Sequence, residues 1–267
     1  MQTALVNGAC IAYRIDGPAA APWVMLSNSL MSSHRMWDAQ IDALLAHYRV
    51  LRYDTCGHGA SETTPGPYSI ELLADDAAAL IDHCALGPVH FIGLSMGGMI
   101  GQQLAVRHPG KLVSLSLCDT ASEMPPRAMW QERIALAQAE GTAGPVDGTL
   151  KRWFVPGFAE REPQTIAAVR AMILSTASEG CIACASAVRN MSQSQLLANI
   201  DVPTQIIVGR DDPACTLAAS ELLQRGIAGA TLHVIDDAAH LSNIEKPAEF
   251  TALLLKFIAR HSAGRGR

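Results

Sequence analysis

Short apolar runs rich in β-branched residues recur along the chain and alternate with stretches of helical periodicity, the pattern of a mostly parallel sheet covered on both faces. The clearest runs lie at 23–26, 50–53, 89–92, 112–117, 205–208 and 232–235. Several are apolar throughout, as strands buried on both faces must be. Near the start, Asn7-Gly8 signals a tight turn, and the amphipathic stretch 9–15 behind it reads as one arm of a hairpin that opens the sheet. Between the strands the spacing predicts helices over 37–46, 70–84, 96–108, 217–226 and 247–260, the last beginning with Pro247 at a tolerated first-turn position.

The rhythm breaks after Asp119. From 122 to 197 no strand pattern is convincing, and helical stretches such as 128–140 and 163–175 are separated by Gly and Pro. The predicted organisation is therefore an α/β core made of residues 1–121 and 198–267, interrupted by a helical cap at 122–197. A length of 267 residues suits one domain with such an insertion. No internal repeat is visible, and only the tail 262–267 reads as frayed.

Composition narrows the function classes. Twenty basic against 25 acidic residues, with no long basic run, exclude tracking of a phosphate backbone, so nucleic acid is not an expected partner. The first 13 residues lack a basic start and an apolar stretch, and no window approaches the ~20 apolar residues of a membrane span. A cytoplasmic protein with no membrane partner is the expectation. Seven cysteines at irregular spacing argue for reduced thiols rather than a disulfide framework. Cys181 and Cys184 have metal or redox spacing, yet no second pair or nearby His completes a zinc site, so they read as small buried side chains on a helix, and no metal is expected.

The strongest chemical signal is Gly93-Leu94-Ser95-Met96-Gly97, at the end of an apolar strand and the start of a helix. A serine on so tight a strand-to-helix bend needs a strained backbone, and side chains at 93 and 97 would collide with neighbouring elements. The bend lifts Ser95 clear of the sheet. It also leaves the Met96 amide at a helix N-terminus, where an unpaired donor and the helix dipole favour a developing oxyanion.

Serine needs an oriented base. Of nine histidines, His240 has the right address, in a loop after the strand at 232–235 and before the last helix. His34, His47, His83, His90, His108, His233 and His261 read as surface or packed residues, and His58 in Gly57-His58-Gly59 as a residue shaping a loop near the site, with chemistry as the alternative. The acid is expected after an upstream strand, which singles out Asp212 in Gly209-Arg210-Asp211-Asp212-Pro213. Asp119 competes, because an acid after the strand at 112–117 could also reach the histidine. Asp211 reads as a solvated or turn-forming neighbour.

These stretches, with Asn28-Ser29-Leu30, Tyr53-Asp54-Thr55-Cys56-Gly57-His58-Gly59-Ala60-Ser61 and His240 to Pro247, resemble the α/β-hydrolase family over nearly the whole chain. Within it the chain is most similar to the 3-oxoadipate enol-lactonases, through Ser27-Asn28-Ser29-Leu30, Gly93 to Gly98, Arg152-Trp153-Phe154 and Glu160-Arg161-Glu162-Pro163. The resemblance implies a second oxyanion amide from Leu30 beside that of Met96. It also implies a cap that closes over the substrate and contributes recognition groups. Trp153 is a candidate pocket residue, with a packed cap residue as the alternative. Arg133 is a candidate grip for a substrate carboxylate, with a solvated helix charge as the alternative. Two departures from the family pattern, Cys56 where Arg is usual and Met31 where a small residue is usual, bear on pocket shape.

The expected chemistry is cofactor-free hydrolysis of a small-molecule ester or lactone, such as 3-oxoadipate enol-lactone, by Ser95, His240 and Asp212. A general carboxylesterase, a carbon–carbon bond hydrolase and a perhydrolase share the same triad. A non-catalytic ligand-binding relative is the alternative of another class. The oligomeric state stays open, a homo-oligomer included.

Overall fold

A computed structural model of the chain describes residues 1–124 and 126–262, so the tail at 263–267 lies outside the described residues. Eight strands form one sheet: β1 (Gln2–Val6), β2 (Ala9–Asp16), β3 (Trp23–Ser27), β4 (Arg49–Tyr53), β5 (Val89–Leu94), β6 (Leu112–Cys118), β7 (Thr204–Gly209) and β8 (Thr231–Ile235). Their spatial order is β1-β2-β4-β3-β5-β6-β7-β8. The β1–β2 and β2–β4 pairs are antiparallel and all the others parallel. Every predicted run falls inside one of these strands. The arm preceding Asn7-Gly8 forms β1, whose outward Leu5 is exposed as expected of an edge strand.

Parallel neighbours need helical crossovers, and right-handedness decides which face each helix covers. The helices outside the insertion are α1 (Asp38–Leu45), α2 (Ile70–His83) and α3 (Met96–Arg107), then α9 (Leu217–Gly226), α10 (Ser242–Glu245) and α11 (Pro247–Ser262). From β3 the chain steps to β4 in one direction through α1, whereas β4 to β5, β5 to β6 and β7 to β8 step the other way. The opposite steps put α1 on one face and α2, α3 and α9 on the other, and α11 returns to pack beside α1. With helices on both sides, Val24, Met25, Leu26, Phe91, Ile92, Leu115, Leu117, Ile206 and Ile207 have no exposed surface, which is why these strands read as unbroken apolar runs. Side-chain caps fix two helix starts: Ser69 accepts from the Leu72 amide and Thr216 from that of Ala219.

Between β6 and β7 the described residues hold α4 (Arg127–Glu140), α5 (Ala143–Trp153), α6 (Phe158–Arg161), α7 (Pro163–Leu174) and α8 (Ser178–Asn190), and no strand of the sheet. A single antiparallel bridge, Glu123 to Ser192, closes the base of this insertion. Among the described residues no single helix is long and apolar enough to cross a membrane.

Candidate active site

The C-terminal ends of the parallel strands face the insertion, and the candidate residues collect in that crevice, as in open α/β sheets generally. The bend after β5 carries Ser95 at φ 54°, a conformation that a non-glycine residue adopts only when its surroundings impose it. A Cβ on Gly93 would come within 2.2 Å of the Gly97 carbonyl oxygen, and one on Gly97 within 2.2 Å of that of Ser27. Both positions exclude any side chain. The bend is locked by the Ser95 amide donating to the Cys118 carbonyl at 2.9 Å and by Thr120 Oγ1 donating to the Ser95 carbonyl at 2.7 Å.

Ser95 Oγ lies 2.9 Å from His240 Nε2, and His240 Nδ1 lies 2.8 Å from Asp212 Oδ2. A carboxylate can only accept, so the ring proton sits on Nδ1 and Nε2 is left to accept from the serine hydroxyl. Asp212 Oδ1 accepts from the Ala214 and Cys215 amides at 2.7 and 2.9 Å, which fixes the carboxylate in its loop. Burial alone would push the His240 pKa down, but the charge and hydrogen bond of Asp212, helped by Asp119 and opposed by Arg133, raise it above the ordinary imidazole value.

Asp119, the competing acid, is equally buried but does not bond the imidazole. Its Oδ1 accepts from the Gly209 amide at 2.8 Å and its Oδ2 from Ser242 Oγ at 2.6 Å. It thus ties the loop after β6 to those that carry Asp212 and His240. Burial and the nearby Asp212 charge push its pKa up, while the charge of His240 and the hydrogen bonds from Ser242 and Gly209 pull it down. Glu245 adds a brace that the sequence did not suggest: its carboxylate accepts from the Ala239 amide at 2.5 Å and from the Val155 amide at 2.8 Å, joining the histidine loop to the insertion. Cys215 Sγ falls in a group with ligand atoms of Asp212 and His240 that all lie within 4.8 Å of one another. The imidazole and carboxylate are already bonded to each other, and burial holds the thiol pKa well above its usual value, so this group has the chemistry of a hydrogen-bonded chain rather than an open metal cage.

Above Ser95 lies a cavity of about 200 Å³. It is smaller than the roughly 300–1,000 Å³ of drug-sized pockets, so it suits a compact ligand. Leu30 and Met96 line its floor, and among the described residues no hydrogen bond uses either main-chain amide. The insertion forms the roof. Trp153, buried and tilted 6.3 Å from the His240 ring, lines it, as does Arg133. Trp130 and Arg152 also line it and were not anticipated. Trp130 sits one helical turn before Arg133, whose guanidinium stacks 4.5 Å from its ring centroid. Trp130 Nε1 is buried without a hydrogen-bond partner among the described residues. Arg152 makes one long contact, 3.5 Å to Thr149 Oγ1, and no carboxylate among the described residues pairs with either arginine. Burial, and then the like charge of Arg152, push the Arg133 pKa down to about 10, and burial lowers that of Arg152. Arg133 therefore stays cationic near neutral pH.

The two departures from the family pattern turn out to lie outside the cavity lining. Cys56 is buried, with its thiol 3.4 Å from the Glu62 carbonyl and 3.5 Å from Tyr68 Oη, where a longer side chain would not fit without rearrangement. Met31 packs in the core at φ 62°. Cys181 and Cys184 are both buried on α8.

The sequence matches the profile of the alpha/beta hydrolase fold over residues 22–247. It is 35% identical to 3-oxoadipate enol-lactonase 2 of Acinetobacter baylyi over 238 residues, 89% of each chain. Among solved structures, the enol-lactonase from Burkholderia xenovorans is 40% identical with a TM-score of 0.95, covering 97% of this chain and 100% of that one. A thermophilic esterase from Thermogutta terrifontis, with malate bound, is 28% identical with a TM-score of 0.91 over 98% of this chain and 99% of that one.

Proposed function

The chain belongs to the α/β-hydrolase family, and from that premise we propose that it hydrolyses a small lactone carrying a free carboxylate, of the 3-oxoadipate enol-lactone type, through Ser95, His240 and Asp212. In this reading His240 Nε2 takes the proton from Ser95 Oγ as the oxygen attacks the lactone carbonyl. The amides of Leu30 and Met96 hold the oxyanion, and Asp212 keeps the Nδ1–H tautomer and stabilises the imidazolium. Collapse of the tetrahedral adduct breaks the ring bond and delivers the proton to the departing oxygen, which stays tethered to the acyl group. Water then attacks the acyl-enzyme by the same route and frees Ser95. The helical insertion at 122–197 acts as the cap that excludes bulk water and recognises the substrate.

The observation that carries the substrate class is the pair of guanidiniums, Arg133 and Arg152, in the roof of a cavity whose floor is the serine, with no acidic partner among the described residues. Two like charges held together at a half-buried site are a standing electrostatic cost that an anionic ligand relieves. Names among the relatives agree: the Acinetobacter baylyi and Burkholderia xenovorans proteins are enol-lactonases, and the Thermogutta terrifontis esterase holds malate, a dicarboxylate.

The test is a substrate panel read as kcat/KM, comparing carboxylate-bearing lactones with neutral aryl and alkyl esters on the same preparation. The expected result is a preference of about 100-fold or more for the acidic lactones, abolished with all other turnover by Ser95→Ala. The methionines lining the same cavity, Met99, Met124 and Met129, favour the second reading, a carboxylesterase for short neutral esters. Equal or better turnover of the neutral esters would select it.

A further inference from the structure

The loop that presents Leu30 is held at two consecutive peptide planes. The first contains the Ser29 carbonyl and the Leu30 amide, and Ser32 Oγ donates to that carbonyl at 2.7 Å. The second contains the Leu30 carbonyl and the Met31 amide, and this amide donates to His58 Nε2 at 2.9 Å. Met31 stands at φ 62°, which a methionine leaves unless something retains it. The His58 acceptor is what retains it.

We propose that His58 is a positioning residue for the oxyanion hole: by accepting from the Met31 amide it fixes the peptide plane after Leu30 and limits how far the adjoining plane, which carries the Leu30 N–H and is held by Ser32, can turn. This rests on the reading of Ser95 and the Leu30 amide given above. The role requires a ring that is neutral with Nε2 bare, since a proton there would set two N–H groups against each other. The surroundings supply that state. His58 is fully enclosed, its Nδ1 faces the Cys56 carbonyl at 3.4 Å, and burial drives its pKa down to about 4. The ring is in turn clamped from the insertion side. A Cβ on Gly180 of α8 would come within 2.0 Å of the Gly57 carbonyl oxygen, and Cys184, one turn further along α8, places its thiol 3.6 Å from the Cys56 carbonyl and 3.9 Å from His58 Nδ1. A continuous line of contacts thus joins α8 to the catalytic floor through one imidazole.

Two variants separate positioning from packing. His58→Leu removes the acceptor and keeps most of the volume; His58→Gln keeps an oxygen acceptor. On a neutral aryl ester, His58→Leu is expected to lower kcat about 10- to 100-fold with KM within about twofold, because only the transition state uses the displaced donor. Affinity for a boronic acid that forms a tetrahedral adduct with Ser95 is expected to fall by the same factor. His58→Gln should recover most of both losses. A His58→Leu enzyme with kcat within twofold of wild type, or variants equally impaired, would overturn the proposal. So would nitrogen NMR of the wild-type imidazole showing a proton on Nε2 at pH 7, a measurement that needs no variant to fold. Turnover surviving Ser95→Ala would instead bring down the serine reading itself, whereas a dead Ser95→Ala beside an unimpaired His58→Leu would remove only the role of His58.

Discussion

The floor and the roof of the cavity differ in how their polar groups are satisfied. In the floor, Ser95, His240 and Asp212 are joined end to end, and Asp119 closes the arrangement through Gly209 and Ser242, so each group is oriented before any ligand arrives. In the roof, Trp130 Nε1 has no acceptor and the guanidiniums of Arg133 and Arg152 have no carboxylate among the described residues. Side chains already bonded to one another suit proton transfer, where reorganisation must be complete beforehand, and among the described residues the floor keeps the Leu30 and Met96 amides unspent for the oxyanion. Unsaturated side chains are suited to recognition, because the ligand completes them.

The sharpest way to break that division is in the floor. Asp212→Asn is expected to lower kcat by about 10⁴, as the wrong imidazole tautomer does in such triads, with Asp119→Asn costing about tenfold. The reverse order would make Asp119 the acid and undo the assignment. In the roof, Arg133→Met and Arg152→Met should each cost about 10- to 100-fold in kcat/KM on a carboxylate-bearing lactone, consistent with loss of a charged hydrogen bond, while leaving a neutral ester within a few-fold. Equal losses on both substrates would make the arginines structural. Trp130→Phe, which removes the N–H together with part of the ring under Arg133, should cost about three- to tenfold on the acidic lactone.

The smallest effect lies in the pH profile and couples the two halves. In the proposed mechanism turnover needs neutral His240, whose pKa is raised, so kcat/KM should rise with pH through a midpoint above the ordinary ~6.5 of imidazole. Asp119 raises that pKa, so Asp119→Asn should move the midpoint to lower pH. Arg133 lowers it, so Arg133→Met should move it to higher pH. Midpoints unmoved by both variants would mean that the roof and floor are electrostatically separate.

The two halves also differ in how far the sequence discloses them. Gly93, Ser95 and Gly97 are legible because one local bend dictates all three, and Asp212 and His240 because each follows a recognisable apolar strand. Choosing between Asp212 and Asp119 is not a local matter: both end strands, and only the paths of their loops show that Asp119 faces Gly209 and Ser242. The roof depends on which faces of separate helices turn inward. Trp130 and Arg152 carry no motif, and α5 is masked by Gly144, Pro145 and Gly148, although Pro145 lies in the first turn, where its missing N–H costs little. The spacing of Trp130 from Arg133 and the adjacency of Arg152 to Trp153 were the available signals. His58 was readable as a loop residue, but the partner of its Nε2 lies 27 positions away.

The two guanidiniums, which have no carboxylate partner among the described residues, also bear on product release. On the proposed substrate, opening the lactone would generate a new carboxylate at the serine while the original one is still held overhead, so the immediate product would carry one more negative charge than the molecule that came in. Two neighbouring cations attract that dianion more strongly than its precursor. On that reading departure is expected to limit turnover more than bond cleavage, and dicarboxylates of matching length are expected to inhibit competitively.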